Sequence, residues 1–171
     1  MSKKVVLAFS GGLDTSFCVP YLKEQGYEVH TVMVNTGGFS AEEEKAIEER
    51  AMKLGAASHK NVNAVNTYYK KGIRYLIYGN ILKNATYPLS VSSERVFQAL
   101  EVLNHVKALG ADAVAHGSTG AGNDQVRFDI VFEILAPEVE IIAPVRDNGF
   151  TRQFEIDFLQ QHGVDFTWEK A

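Results

Sequence analysis

Hydrophobic residues follow two patterns along the chain: short continuous apolar runs, and longer stretches with an apolar residue at every third or fourth position. The short runs are typical of strands that are buried on both faces. His59 and Lys60 interrupt the third run, and His59, next to a lysine, is predicted to lie on the surface. Five strands are predicted in this way, at residues 5–9, 28–34, 57–62, 113–116 and 139–145.

The longer stretches predict amphipathic helices between these strands. Phe17, Tyr21 and Leu22 form the first apolar stripe, which ends at Gly26. Because strands alternate with helices, the chain is predicted to be an α/β protein with an open, doubly wound, five-stranded parallel sheet and helices on both faces. Further helices are predicted in residues 40–55, 66–84, 92–110, 125–135 and 151–162, with Ser40, Ser92 and Thr151 as N-caps.

A glycine-rich turn joins the first strand to the first helix, in residues 10–16. Gly11 and Gly12 allow the backbone to approach an anion closely, and hydroxyl groups are available from Ser10, Thr15 and Ser16. A strand, a glycine turn and a helix N-terminus together predict a phosphate site.

The spacing in this turn differs from the commoner nucleotide fingerprints. It contains no lysine of the P-loop type and no G-x-G-x-x-G sequence. Asp14 is compatible with a phosphate-binding loop and also with an ordinary N-cap of the following helix. The position of the turn between a strand and a helix favours the functional interpretation.

A second polar, glycine-rich stretch follows the fourth predicted strand, in residues 116–128. Asn123, Asp124, Gln125 and Arg127 are clustered there, where a second phosphate or a carboxylate could bind. A loop with a purely structural role would not need this concentration of polar side chains.

The composition excludes several classes of protein. The 171 residues suffice for about one domain, and the net charge of −4 argues against a nucleic-acid partner. The single cysteine, Cys18, excludes an internal disulfide and a cysteine-based zinc site, and it is predicted to be a buried apolar residue. No apolar run approaches the length of a membrane span, so we expect a cytoplasmic location and no membrane partner.

The sequence Ser-Gly-Gly-Leu-Asp-Thr-Ser resembles the PP-loop of ATP pyrophosphatases. Together with residues 115–128 and the Tyr-Pro-Leu sequence at residues 87–89, it makes the whole chain resemble the N-terminal domain of argininosuccinate synthases. The resemblance implies a PP-loop α/β fold and the use of ATP and Mg²⁺. It also implies adenylation of citrulline with release of pyrophosphate, and displacement of AMP by the amine of aspartate to give argininosuccinate.

The resemblance also implies roles for individual residues, whereas no general base, catalytic residue or metal ligand is assigned. The expected ATP-binding residues are Ala8, Phe9, Ser10, Gly11, Gly12, Leu13, Asp14, Thr15, Ser16, Thr36 and Gly117. The expected citrulline-binding residues are Tyr87, Ser92, Asn123 and Arg127. The expected aspartate-binding residues are Thr119, Asn123 and Asp124. Thr36 lies in a glycine-rich loop that is also compatible with a simple connector.

The chain departs from the family pattern in two respects. Family members are about twice as long or longer, so residues 1–171 are expected to form an ATP-binding domain that lacks the synthetase domain. The full-length form is expected to be a homotetramer. In addition, residues 90–95 read Ser-Val-Ser-Ser-Glu-Arg where the family has a Thr/Ser-x-x-Ala-Arg-Pro sequence.

This second departure leaves alternatives open. Arg95 could bind the extra carboxylate of an N-acylated citrulline, whereas Glu94 would favour the free ammonium. Because neighbouring helical residues diverge by about 100°, at most one of the two side chains is expected to face the site. A non-catalytic nucleotide-binding module and another PP-loop ligase are the remaining alternatives.

Overall fold

The computed structural model describes residues 2–164 and residue 166, and a five-stranded parallel sheet forms its centre. The strands are β1 (Lys4–Ala8), β2 (Glu28–Asn35), β3 (Ser58–Asn63), β4 (Leu82–Lys83), β5 (Tyr87–Pro88), β6 (Ala113–His116) and β7 (Glu140–Ile142). The order in the five-stranded sheet is β3-β2-β1-β6-β7, and every pair in this sheet is parallel, as the sequence predicted. The short strands β4 and β5 form a separate antiparallel hairpin that the sequence did not predict.

Helices cover both faces of the sheet, and a π-helical turn (Tyr69–Ile73) lies between the third and fourth of them. The helices are α1 (Leu13–Glu24), α2 (Ala41–Lys53), α3 (Val65–Tyr68), α4 (Arg74–Tyr78), α5 (Ser90–Leu109), α6 (Asp124–Leu135), α7 (Pro144–Asn148) and α8 (Arg152–Gln161). None of the helices in the described part of the chain is both long and apolar enough to cross a membrane.

Strand β1 is buried on both faces, which explains its continuous apolar sequence. Val5 and Leu7 belong to one core cluster, together with Phe17 of α1, whereas Val6 belongs to the other, together with Phe132 of α6. Cys18 is completely buried in the first cluster, as predicted.

Neither Asp14, for which an N-cap was the alternative interpretation, nor Ser92, the predicted N-cap of the long helix, caps a helix. Helix α1 begins at Leu13 with Gly12 as its N-cap, so Asp14 lies inside the first turn. Helix α5 begins at Ser90, and its N-cap is Leu89. The backbone N–H of Ser92 already donates to the carbonyl of Leu89 at 3.1 Å, because the helical turn has formed before this serine is reached.

The prediction that His59 lies on the surface is also wrong. The ring is half-buried on β3, where it hydrogen-bonds to Thr31 Oγ1 at 2.8 Å and to Asn61 Oδ1 at 2.9 Å. It also meets the ring of Phe9 edge-on. Burial lowers the pKa of His59, although Asn61 and Glu48 oppose this effect. Pairing with β2 therefore gives this polar segment a partly buried face.

Candidate nucleotide site

A cleft of about 1030 Å³ opens where β1, β2 and β6 end at the carboxyl edge of the sheet. This edge is where open parallel sheets bind their ligands, at the point where the strand order reverses. The first loop contributes every residue from Ala8 to Thr15 to the cleft wall. The loop after β2 contributes Gly38 and Phe39, and the loop after β6 contributes Gly117, Ser118, Thr119 and Gly122.

Hydrogen bonds within the first loop hold it in a closed turn. The N–H of Ser10 donates to Thr15 Oγ1 at 3.4 Å, and the hydroxyl of Thr15 donates to the carbonyl of Gly12 at 3.3 Å. The N–H of Gly12 donates to Ser10 Oγ at 3.4 Å. Arg50 of α2 adds an outer contact, because its guanidinium donates to the carbonyl of Gly11. The loop is therefore set in shape by its own side chains and by α2.

The helix that follows this loop has no side-chain cap. The N-cap of α1 is Gly12, whereas Ser40 caps α2 with a capping box and Thr151 caps α8, as predicted. An uncapped helix N-terminus leaves backbone N–H groups without an intrahelical partner, and the helix dipole makes this end attractive to anions. Because these groups belong to a loop that lines the cleft, they can bind a phosphate.

His116, at the end of β6, holds the second loop. Its ring is buried, and Nδ1 accepts a hydrogen bond from the N–H of Ser118 at 3.2 Å. The ring proton therefore lies on Nε2, which donates to Asp129 Oδ1 at 2.9 Å, and Arg146 donates to the same carboxylate. Burial lowers the pKa of His116, and the bond to Asp129 opposes this only in part.

Gly117 lets the second loop approach the first. A Cβ at this position would lie 3.0 Å from both the backbone N and Cγ2 of Thr15. Contacts this short are tighter than nine in ten real Cβ contacts, so a side chain at this position would push the first loop away by a few tenths of an ångström. The two predicted loops thus lie against each other and together line one cleft.

Asp124 is the centre of an ion-pair network at the start of α6. Arg95 Nε lies 3.0 Å from one carboxylate oxygen, and Arg127 Nη1 lies 2.6 Å from the other. Partial burial acts to raise the pKa of Asp124, but hydrogen bonds and charge from the two arginines bring it below its usual range. Helix α6 also lacks a side-chain cap.

Glu94 and Arg95 both line the cleft, so the expectation that at most one of them faces it is wrong. The hydroxyl of Thr36 donates to Glu94 Oε1 at 2.5 Å, whereas Arg95 reaches Asp124 on the other side. Neighbouring helical positions point in different directions, but both side chains are long enough to reach the cleft from their positions. Helix α5 therefore connects the loop after β2 with the start of α6.

The remaining predicted site residues do not line the cleft. Ser16 is completely buried, and its Oγ has no hydrogen-bond partner among the described residues. Tyr87 lies on the short hairpin with 45% of its surface exposed. Thr36, Ser92, Asn123 and Arg127 also lie outside the lining, although Thr36 and Arg127 contact residues that belong to it.

The first turn of α1 also contacts an acidic residue that the sequence did not single out. Glu155 of α8 is 2% exposed and lies against Asp14. Burial, the negative charge of Asp14 and a hydrogen bond to it raise the pKa of Glu155 to about 8, although Arg152 opposes this. In the described part of the chain, no three His, Cys, Asp or Glu side chains are grouped so as to hold a metal ion.

Sequence reasoning missed several residues of this region, among them Arg50 and Arg152 in the cleft lining and, behind the two loops, His116 and Glu155. The last two lie at the boundary between a core element and a loop, and each bonds to a carboxyl group on another element, His116 to Asp129 and Glu155 to Asp14. A histidine directly before Gly-Ser at the end of a buried strand is the one signal that could have indicated His116. Nothing in the local pattern around Glu155 sets it apart from its acidic neighbours.

Comparison with known proteins supports the expectation drawn from the two loops. The family model described as "Arginosuccinate synthase N-terminal HUP domain" matches residues 4–165. The chain is 46% identical over 166 residues to the argininosuccinate synthase of Xylella fastidiosa, covering 95% of this chain and 41% of that protein. It is 44% identical over 164 residues to the argininosuccinate synthase of Pyrobaculum aerophilum, with the same coverage.

Solved structures show the same fold at lower identity. A 4-thiouridine synthetase in complex with RNA and with bound ATP has a TM-score of 0.71 and 17% identity, covering 94% of this chain and 41% of that one. A predicted subunit of a tRNA methyltransferase from Methanocaldococcus jannaschii has a TM-score of 0.59 and 21% identity, covering 92% and 74%. At these identities the likeness shows the fold alone.

Proposed function

Because the chain belongs to the argininosuccinate synthase family, through that family's N-terminal HUP domain, we propose that it forms the ATP-binding part of a ligase that joins citrulline to aspartate. The chain spans about two fifths of the length of the curated relatives that it matches. One observation carries the proposal: the uncapped N-terminus of α1 follows a Ser-Gly-Gly turn and lines a cleft at the carboxyl edge of the sheet.

The first loop binds the phosphates of ATP. Backbone N–H groups of the first turn of α1 and the hydroxyls of Ser10 and Thr15 face the charge on the phosphates. Arg50 and Arg152 also line the cleft and add positive charge at the pyrophosphate end. If ATP binds as its Mg²⁺ complex, the cation would reduce the negative charge of the phosphates, and we assign it no protein ligand. Phe39 and Gly117 flank the adenosine.

The reaction proceeds in two displacements. The ureido oxygen of citrulline attacks the α-phosphorus, a P–O bond forms, and the bond to the β-phosphate oxygen breaks to release pyrophosphate. The ammonium of aspartate then loses a proton to solvent, and the resulting amine attacks the ureido carbon, forms the C–N bond and displaces AMP. Positioning and charge stabilisation provide most of the catalysis of such a phosphoryl displacement, so the site needs no protein nucleophile.

The ion-pair network around Asp124 provides the amino-acid site. Without substrate, Arg127 is paired with Asp124. When the ammonium of aspartate takes the place of this arginine on Asp124, Arg127 becomes available to a substrate carboxylate. Thr119 lines the cleft on the same side. Citrulline lies at the mouth of the cleft, towards Asn123 and the hairpin that carries Tyr87, since these groups lie outside the lining.

Free citrulline is favoured over an N-acylated acceptor. Arg95, the residue that would bind an added carboxylate, is already paired with Asp124 and lies 3.6 Å from the carboxylate of Glu94. Glu94, which also lines the cleft, suits a free ammonium. The homotetramer and the cytoplasmic location are further proposals, drawn from the family alone. A non-catalytic nucleotide module leaves the Asp124 network without a role.

Calorimetric titration of the 171-residue chain with MgATP, AMP and pyrophosphate tests the nucleotide site. Binding of ATP with competition by pyrophosphate is the expected result. A folded chain that binds none of the three would overturn the proposal. In the corresponding full-length enzyme, release of pyrophosphate should require citrulline, and formation of argininosuccinate should require aspartate as well.

A further inference from the structure

Glu155 is a buried acid beside the nucleotide loop, and the proposed reaction does not use it. The residue lies in the first turn of α8, and its side chain is 2% exposed. Treated as an ionised carboxylate, it has no hydrogen-bond donor for its Oε2 atom among the described residues. A buried carboxyl with an unsatisfied oxygen is costly, so its presence here calls for a physical reason.

Asp14 gives that reason. The two carboxyl groups are hydrogen-bonded to each other, yet only Asp14 lines the cleft. Two carboxylates in contact cannot both be ionised without strong repulsion, so the pair retains one proton. The proton belongs on Glu155, because that group is the more deeply buried and its neutral form avoids the cost of a desolvated charge.

The other titratable and charged groups near the pair do not remove the need for this proton. Cys18 of α1 is completely buried, and burial together with Glu155 and Asp14 raises the pKa of its thiol, so it stays neutral. Arg152, one turn before Glu155, provides the opposing positive charge. At the far end of the same helix pair, Glu24 lies 2.9 Å from His162 and faces that ring instead.

We propose that Glu155 is a positioning residue for the nucleotide loop: as a neutral acid it donates a hydrogen bond to Asp14 and thereby fixes the first turn of α1 in the cleft wall. The proposal rests on the proposed function, since it assumes that this turn binds the phosphates of ATP. Once ionised, Glu155 would repel Asp14 and place a second negative charge behind the turn that has to bind an anion. Nucleotide affinity therefore depends on the proton between these two side chains.

The test is the pH dependence of ATP binding to the 171-residue chain between pH 6.5 and 9.5. In the wild type the affinity should fall about tenfold from pH 7 to pH 9, because the binding-competent protonated form becomes scarce above the pKa of Glu155. Glu155→Gln keeps a neutral donor to Asp14 and should bind equally well across this range. Glu155→Ala removes the donor and should bind more weakly at every pH.

Asp157→Asn is the matched control. It makes the same change of charge on the exposed face of the same helix and should retain the wild-type pH profile. If Glu155→Gln shows the same loss above pH 8 as the wild type, the proposal is wrong. If Glu155→Gln loses affinity only with Mg²⁺ and not in EDTA, Glu155 acts as a metal ligand, and the proposal is equally wrong.

A measurement without nucleotide separates this proposal from the proposed function. A carboxyl whose pKa is higher in the folded than in the unfolded state contributes stability that is lost as pH rises through the folded value. Glu155→Gln should therefore remove a decline in unfolding free energy that the wild type shows up to about pH 8, and the carboxyl ¹³C resonance of Glu155 should titrate there. If ATP fails to bind but this titration is seen, only the proposed nucleotide function is wrong. If the pKa of Glu155 is that of an ordinary glutamate, the proposal of a proton shared with Asp14 is wrong.

Discussion

Gly11 and Gly12 are neighbours in the first loop, but a side chain would have different consequences at the two positions. Gly12 has φ −71°, and a Cβ there would lie 3.5 Å from Ser10 Oγ, an ordinary contact. Gly12→Val should therefore fold and yet lose measurable ATP binding, because its methyl groups occupy the space of the phosphate. Calorimetry with ATP and a thermal melt of the same sample measure the two effects.

Gly11→Val is the contrasting variant. Gly11 has φ +75°, and a Cβ would lie 3.1 Å from Ile47 Cγ1, so this change should destabilise the fold by about 1–3 kcal/mol. Ala57→Val, on the exposed surface before β3, should change neither binding nor stability. Full ATP affinity in a folded Gly12→Val chain would show that the phosphates bind elsewhere.

The Asp124 network makes a second prediction, on the full-length enzyme. Asp124→Ala should weaken aspartate binding, and Arg127→Ala should weaken citrulline binding, each by about ten- to a hundredfold, as for a lost charge-assisted contact of about 1.5–3 kcal/mol. Steady-state KM values for the two amino acids measure this, while KM for ATP should change little.

Glu133→Ala, on the exposed surface of the same helix, is the control for this pair. Both site residues are partly exposed, so their removal should leave the fold intact. If either variant unfolds the domain instead, the network is structural, and the assigned substrate contacts are wrong.

At the level of single residues, the sequence located the loops but not the partners within them. Ser10, Gly12 and Thr15 lie where the turn predicted, since a local pattern determines their geometry. The pairing of Arg95 with Asp124 joins residues 29 positions apart. A local sequence pattern does not extend over so many positions, so it could not predict this pair. The roles of substrate-binding residues outside the cleft lining, such as Tyr87, stay predictions.

At the level of elements, periodicity predicted the strands and most helices because these are stabilised by burial of a regular face. It was less informative for residues 65–89. Only Tyr68 of the tyrosines there is buried, and its hydroxyl donates to the carbonyl of Ser90 at 2.6 Å, which anchors this segment to α5. The π-helical turn and the short hairpin depend on such long-range contacts, so sequence pattern alone did not indicate them.

His116, at the start of the connection from β6 to α6, leads to a prediction about the pH dependence of stability. The pKa of His116 is lowered in the folded state. As pH falls below the ordinary histidine pKa of about 6.5, this residue therefore binds more protons in the unfolded chain than in the folded one. The unfolding free energy should therefore fall as pH decreases through this range. His116→Gln should reduce the slope between pH 5 and 7.5 in urea denaturation.

Part of the slope should remain in that variant, because burial also lowers the pKa of His59 and His105. An unchanged slope would mean that His116 is charged in the folded protein. In that case the hydrogen bond from Ser118 to Nδ1 could not exist as described, and the loop would be held in another way.

For the whole molecule, the alternation of strands and helices predicted the sheet, and the sheet predicted the edge at which a ligand binds. Strand β1 lies between β2 and β6, so the loops that follow these strands meet at one edge. The sequence could not show how closely they meet. That depends on Gly117 against Thr15, a contact that forms only when the whole fold is in place.

This arrangement leads to a prediction for the whole domain, since ATP would bridge two loops that belong to different parts of the chain. A ligand at a hundred times its Kd stabilises the folded state by about 2.7 kcal/mol. For a domain of this size that corresponds to a rise in Tm of about 5–10 °C. Hydrogen exchange should slow at both loops, residues 10–16 and 116–120, although they lie a hundred positions apart. Gly12→Val should show neither effect. Protection confined to the first loop would mean that the nucleotide contacts only one wall, and the adenosine would then have to lie outside the cleft.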